Sequence, residues 1–112
     1  MFGLFVLTLT SAVSMTAADA EASRAAYSNC LTDYTIEQLD QKTAAKAFNK
    51  AAVEACPKER AALIDTISKD EISYGSSAAE AAEYATEEAN GVLSSFAGSY
   101  TDFLESNTRP SK

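Results

Sequence analysis

Residues 77–104 read SAAEAAEYATEEANGVLSSFAGSYTDFL, and this stretch decides the fold. Ala78, Ala82, Ala85, Ala89, Val92, Phe96 and Phe103 are spaced 4, 3, 4, 3, 4 and 7, which is heptad spacing with Ser99 in the one weak slot. Leu93, Tyr100 and Leu104 broaden the stripe. Ser77 with Glu80 three residues on forms a capping box, so the pattern has a defined start. Asn90-Gly91 conflicts with it, because that pair commonly marks a turn. The stripe nevertheless keeps its phase from Ala89 through Val92 to Phe96. The spacing therefore predicts one long, alanine-rich helix with a weak point at Gly91.

Working back from this helix, 70–77 reads as a connection, with Gly75 and two serines. Leu63, Ile64 and Ile67 give the inward face of a preceding helix. Pro57 suits its first position, where a missing N–H costs nothing. Further back, Thr43 is an N-cap candidate, followed by Ala44, Phe48, Ala52 and Ala55 along one side. Tyr27, Cys30, Leu31 and Tyr34 recur at i, i+3, i+4 and i+7, one face of a first helix. Thr35 and Gln38 form another capping-box pattern, so that helix is expected to end near Tyr34. No run alternates β-branched and polar residues as a strand would. The expected fold is all-α: a small up-down bundle of three shorter helices and one long Ala-rich helix.

The chain has 112 residues, enough for one domain. Its start has a different character. Residues 2–13 are mostly apolar, too few to span a bilayer. Ala18-Asp19-Ala20 then matches a signal-peptidase site. Residues 1–20 are accordingly expected to be a signal peptide, although no Lys or Arg precedes the apolar run. The bundle is expected over 21–106, and the polar tail 107–112, with Pro110, is expected to fray. The expected location is periplasmic or secreted, with no stable membrane anchor in the mature form.

From residue 21 onward only 14 of 92 residues are Leu, Ile, Val or Phe, while 18 are Ala. Such a composition describes thin helices in close contact, with little large apolar surface to bury. Cys30 and Cys56 are the only cysteines. In an oxidising compartment they are expected to pair and staple the bundle. Closing that loop of about 26 residues stabilises by roughly 3.5 kcal/mol in the chain-entropy picture.

Charge and residue types exclude several chemistries. The formal net charge is -7, from 9 basic and 16 acidic residues, so no nucleic-acid partner is expected. There is no His, which removes imidazole ligands and imidazole-activated nucleophiles. Gly3, Gly75, Gly91 and Gly98 form no phosphate loop, and Ser94, Ser95 and Ser99 lack a nucleophile-elbow context. No enzyme activity, cofactor or metal is expected.

The remaining signal is a segregation of charge. Residues 21–69 carry seven acids and seven bases, whereas 70–108 carry eight acids and no base. Glu80, Glu83 and Glu87 lie opposite the alanine stripe and, with Tyr84, are the candidate partner-binding residues. Tyr74 and Tyr100 are further exposed-contact candidates, and Tyr27 and Tyr34 are expected in the core. Lys42, Lys46 and Lys50, at i, i+4 and i+8, form a basic stripe that suits the acidic strip of another copy. The expected function is that of a small exported, non-enzymatic binding or structural protein acting through contact with an unidentified protein, itself included. The alternative is a periplasmic acid- or stress-responsive chaperone, loosened as its carboxylates protonate.

Overall fold

The computed structural model describes residues 17–112. They form four helices: α1 (Ala17–Asp40), α2 (Ala45–Ala52), α3 (Pro57–Ser73) and α4 (Ala78–Ser106). No strand occurs among the described residues. The fold is a small all-α bundle with one long helix, as the periodicity predicts, and α4 runs unbroken through Gly91.

Cross-links along the chain fix the topology. Phe48 of α2 lies against Tyr34 of α1, with ring centroids 5.7 Å apart. Cys56 at the threshold of α3 is bonded to Cys30. Arg60 then reaches the Tyr27 hydroxyl at 3.4 Å, and Thr66 lies 3.1 Å from Ser23. Each step forward along α2 and α3 thus meets a step back along α1. The two helices together act as one descending limb, interrupted at 53–56. Helix α4 ascends beside α1: Arg24 pairs with Glu88, and the Tyr100 hydroxyl donates to the Thr43 carbonyl at 2.7 Å. The molecule is in effect a three-limbed bundle whose middle limb is broken.

The break has a local cause. Pro57 cannot continue a helix interior but can open one, and it occupies the first turn of α3 with Cys56 as N-cap. Ahead of it the chain exits α2 through two tight turns, Glu54 N–H to the Ala51 carbonyl and Ala55 N–H to the Ala52 carbonyl. No left-handed residue intervenes, so the chain keeps its direction.

The other three helix ends do reverse the chain, and all three use the same device. At α1 the N–H of Lys42 bonds the Leu39 carbonyl and that of Thr43 the Gln38 carbonyl. At α3 Gly75 bonds Ile72 and Ser76 bonds Glu71. At α4 Asn107 and Thr108 both reach the Phe103 carbonyl. The residue that turns the corner has positive φ each time: 54° at Lys42, 104° at Gly75 and 54° at Asn107. Gly adopts this conformation freely and Asn tolerates it, whereas Lys pays a steric cost.

Three expectations about local structure are corrected. Helix α1 does not end near Tyr34, because the Thr35 hydroxyl is buried and donates back to the Leu31 carbonyl at 2.7 Å instead of capping a new helix. Thr43 does not cap α2; the N-cap is Ala44 without a side-chain bond, and Thr43 turns its hydroxyl to Gln38. Helix α3 extends through Ser73, which reduces the 70–77 connection to residues 74–77. Ser77 does cap α4, accepting from the Glu80 N–H at 3.2 Å.

Two core clusters stack along the bundle. One joins Tyr27, Leu31, Cys56, Leu63 and Ile67 to Ala85 and Ala89, with Ala20 at its edge. The other holds Phe48, Ala52 and Tyr100. Leu93 and Phe96 pack against both and so connect them. The buried face of α4 is Ala81, Ala85, Ala89 and Tyr100, whereas Ala78 and Ala82 of the expected stripe are exposed. The seam therefore follows a four-residue step over the first turns rather than alternating 4 and 3. Small side chains keep the helices close here, and the Phe48–Tyr100 stack, at 3.9 Å, supplies the bulk at the other end.

The expected leader falls mostly outside the described residues, which begin at Ala17. Helix α1 runs across the expected cleavage point, and Ala20 is buried. The tail expected to fray turns back along α1: Arg109 is paired with Asp40, and Lys112 with Asp33 at 3.0 Å. No helix among the described residues is long and apolar enough to cross a membrane.

Candidate functional site

The predicted contact residues share the outer side of α4 near its start. Glu80, Glu83 and Glu87 are exposed, and Tyr84 is 45% exposed. The periodicity of α4 requires this placement. Ala81, Ala85 and Ala89 point inward and are fully buried, which turns positions 80, 83, 84 and 87 toward solvent. Ser77 fixes the register by holding the first turn, and the Glu80 carboxylate there also complements the positive end of the helix dipole.

Sequence reasoning did not single out Glu88, which completes the strip. Its carboxylate lies 3.0 Å from Arg24 of α1 and tethers this part of α4 to the bundle. The same carboxylate raises the pKa of the Tyr84 phenol above its ordinary value. Partial burial, the Glu71 charge and the hydrogen bond to Glu88 add to the rise, and Arg24 opposes it. Tyr84 is thus a neutral, half-exposed aromatic ring inside a field of carboxylates. That combination suits a basic, partly apolar surface.

The other tyrosines divide differently from expectation. Tyr100 is fully buried, stacked on Phe48, and is not a contact residue. Tyr27 is also fully buried and Tyr34 half-buried, as expected. Tyr74 is 78% exposed at the turn between α3 and α4, with Ile72 beside it at 47%. The basic stripe is not one helix face: Lys46 and Lys50 lie exposed on α2, but Lys42 sits in the preceding turn.

Among the described residues the interior holds little that reacts. Its buried polar residues are Thr32, Thr35 and Thr66, and each hydroxyl donates to the carbonyl four residues earlier. Cys30, Cys56 and Glu59 are the one group among the described residues with metal-like geometry, and both sulfurs are consumed in the disulfide. Two grooves open at the surface. One of about 540 Å³ runs along the outside of α2, lined by Ala47, Lys50, Ala51, Val53 and Glu54. Another of about 320 Å³ lies where α1 and α4 end, between Leu39, Phe103 and Arg109.

Together the fold and this surface define the chain as a disulfide-stapled all-α bundle with an acidic, tyrosine-bearing helix face. No protein-family model matches the chain, and neither a curated protein nor a solved structure does.

Proposed function

We propose that this is a small exported, non-enzymatic protein that works by protein–protein contact through the outer face of α4. The supporting observation is the arrangement of Glu80, Glu83, Tyr84 and Glu87: exposed together on a helix whose opposite face is fully buried. Residues 70–108 supply eight carboxylates and no base, so the face favours a basic partner. Export is supported by the apolar run at 2–13, the Ala18-Asp19-Ala20 match and the joined cysteine pair. The same three features support a periplasmic or secreted location. Mass spectrometry of the natural N-terminus tests it, and a retained leader overturns it.

The acid-responsive chaperone draws less support. Such a switch works best when carboxylates are tied into the core, and the buried polar groups here are threonine hydroxyls.

Contact is tested by immobilising the oxidised chain and passing over it the exported fraction of its own cells. The control carries Glu80→Gln, Glu83→Gln, Glu87→Gln and Tyr84→Ala together. These exposed changes leave helicity and melting close to those of the parent. A protein retained by the parent and lost by the variant supports the reading; equal retention by both overturns it.

A further inference from the structure

We propose that the α3–α4 turn of one copy docks into the groove outside α2 of a second copy, giving an end-to-end assembly. The inference rests on the reading of α4's acidic side as a contact surface and names another copy of this chain as a partner.

The turn is a projecting apolar tip. Tyr74 is 78% exposed and Ile72 47%, while the backbone between α3 and α4 is closed by Gly75 at φ 104°. Burial inside this molecule explains neither side chain, and the reversal itself needs only the glycine. The chain that carries the tip, 70–83, holds Asp70, Glu71, Glu80 and Glu83 and no base, and Lys69, one turn before Ile72, is already paired with Asp65. An apolar knob collared by carboxylates requires a basic rim around an apolar floor.

The other half of the bundle carries that rim. Residues 41–53 hold Lys42, Lys46 and Lys50 and no acid. Lys46 and Lys50 are exposed on α2, beside the open groove floored by Ala47, Ala51 and Val53, the last of these 48% exposed. Glu54 at the end of the groove is an acceptor for a phenol O–H. Tyr74 and Ile72 fill the floor, the lysines face the collar, and Glu54 receives the Tyr74 proton donor. Two copies of a chain with net charge -7 repel each other in most orientations. This segregation makes one orientation attractive.

Tip and groove lie in opposite halves of the bundle, so one contact leaves a free tip on one copy and a free groove on the other. Such a heterologous contact grows into open chains rather than closing as a dimer. The surfaces are small, and their charges are exposed. The association is therefore weak, concentration-dependent and sensitive to salt.

Sedimentation velocity on the chain in the form its cells accumulate, oxidised, tests this. The parent is expected to sediment faster as its concentration rises, and to lose that shift at high salt. A tip variant, Ile72→Ser with Tyr74→Ala, and a groove variant, Lys46→Glu with Lys50→Glu, are each expected to stay monomeric. All four positions are exposed, and unchanged helicity and melting confirm the fold. Mixed in equal amounts, the two variants are expected to form a dimer that grows no further, because each retains one working surface. A parent that stays monomeric at every concentration overturns the proposal, as does either variant still assembling alone. If a different protein is captured through Glu80, Glu83 and Glu87 while the parent remains monomeric, this proposal fails and the α4 reading stands.

Discussion

Lys42 occupies a position that chemistry would assign to glycine. It turns the corner at the end of α1 with φ 54°, where the equivalent residue after α3 is Gly75 and after α4 is Asn107. A Cβ in this conformation crowds the following carbonyl. Lys42→Gly is therefore expected to raise stability by about 1 kcal/mol, read as a higher denaturant midpoint. Asn107→Gly should move it less. Tyr100 makes a second residue-scale case. Its ring stacks on Phe48 and its hydroxyl donates to the Thr43 carbonyl at 2.7 Å, which ties α4 to the chain between α1 and α2. Tyr100→Phe keeps the stack and is expected to cost about 1 kcal/mol, whereas Phe48→Ala removes the stack and costs about 3–5 kcal/mol. Burial raises the Tyr100 pKa above the ordinary 10.0, and the nearby Tyr34 phenol adds to the rise, while the Thr43 side chain opposes it. The folded chain then holds that proton more tightly than the unfolded chain. Stability is expected to be unaffected below about pH 10 and to fall as pH rises from there through the folded pKa. Denaturant midpoints measured across the alkaline range check this, and Tyr100→Phe should flatten the decline.

The elements were legible to different degrees, and the reasons are physical. Helix α4 was readable because its capping residue, its phase and its large apolar side chains agree. Its continuity through Gly91 followed from phase alone. That glycine is exposed, and a Cβ built on it meets nothing within 4 Å. Gly91→Ala is therefore expected to stabilise by roughly 1 kcal/mol, with a higher melting temperature and helicity unchanged or increased. The inward edge of the same helix was not readable at its start. Ala78, Ala79, Ala81 and Ala82 are chemically identical, so only the packing of α1 and α3 selects Ala81. The end of α1 was misread for a related reason. A threonine hydroxyl either caps a new helix or bonds back to the turn behind it, and burial of Thr35 decides for the second. The outward placement of Glu80, Glu83 and Glu87 was legible because charge on a helix opposite a small-residue stripe has one inexpensive location. Glu88 was missed because its partner, Arg24, is 64 residues away in the chain.

Across the whole molecule the apolar interior is thin, and one covalent link spans it. Cys30 and Cys56, 26 residues apart, pin the broken middle limb to α1 at the break itself. Replacing both by Ser is expected to remove roughly 3.5 kcal/mol, a large share of the stability of a domain this size. Urea unfolding of parent and variant measures it, and a difference near zero would show that packing alone holds the bundle. The ion pairs Arg24–Glu88, Asp65–Lys69, Asp40–Arg109 and Asp33–Lys112 lie at the surface, each contributing at most about 1 kcal/mol. Added salt should therefore shift the unfolding midpoint far less than loss of the disulfide does.

The disulfide also decides what a protease can accomplish. Every peptide bond from 31 to 55 lies inside a covalent ring. Cleavage after the exposed Lys42, Lys46 or Lys50 opens the ring but severs nothing from the molecule, and the two fragments migrate together in electrophoresis until a reductant is added. A cut beside Gly75 falls outside the ring and leaves α4 attached only by packing. One turn of the bundle is thus forgiving of nicks, and the other is the place where a single scission can dismantle it.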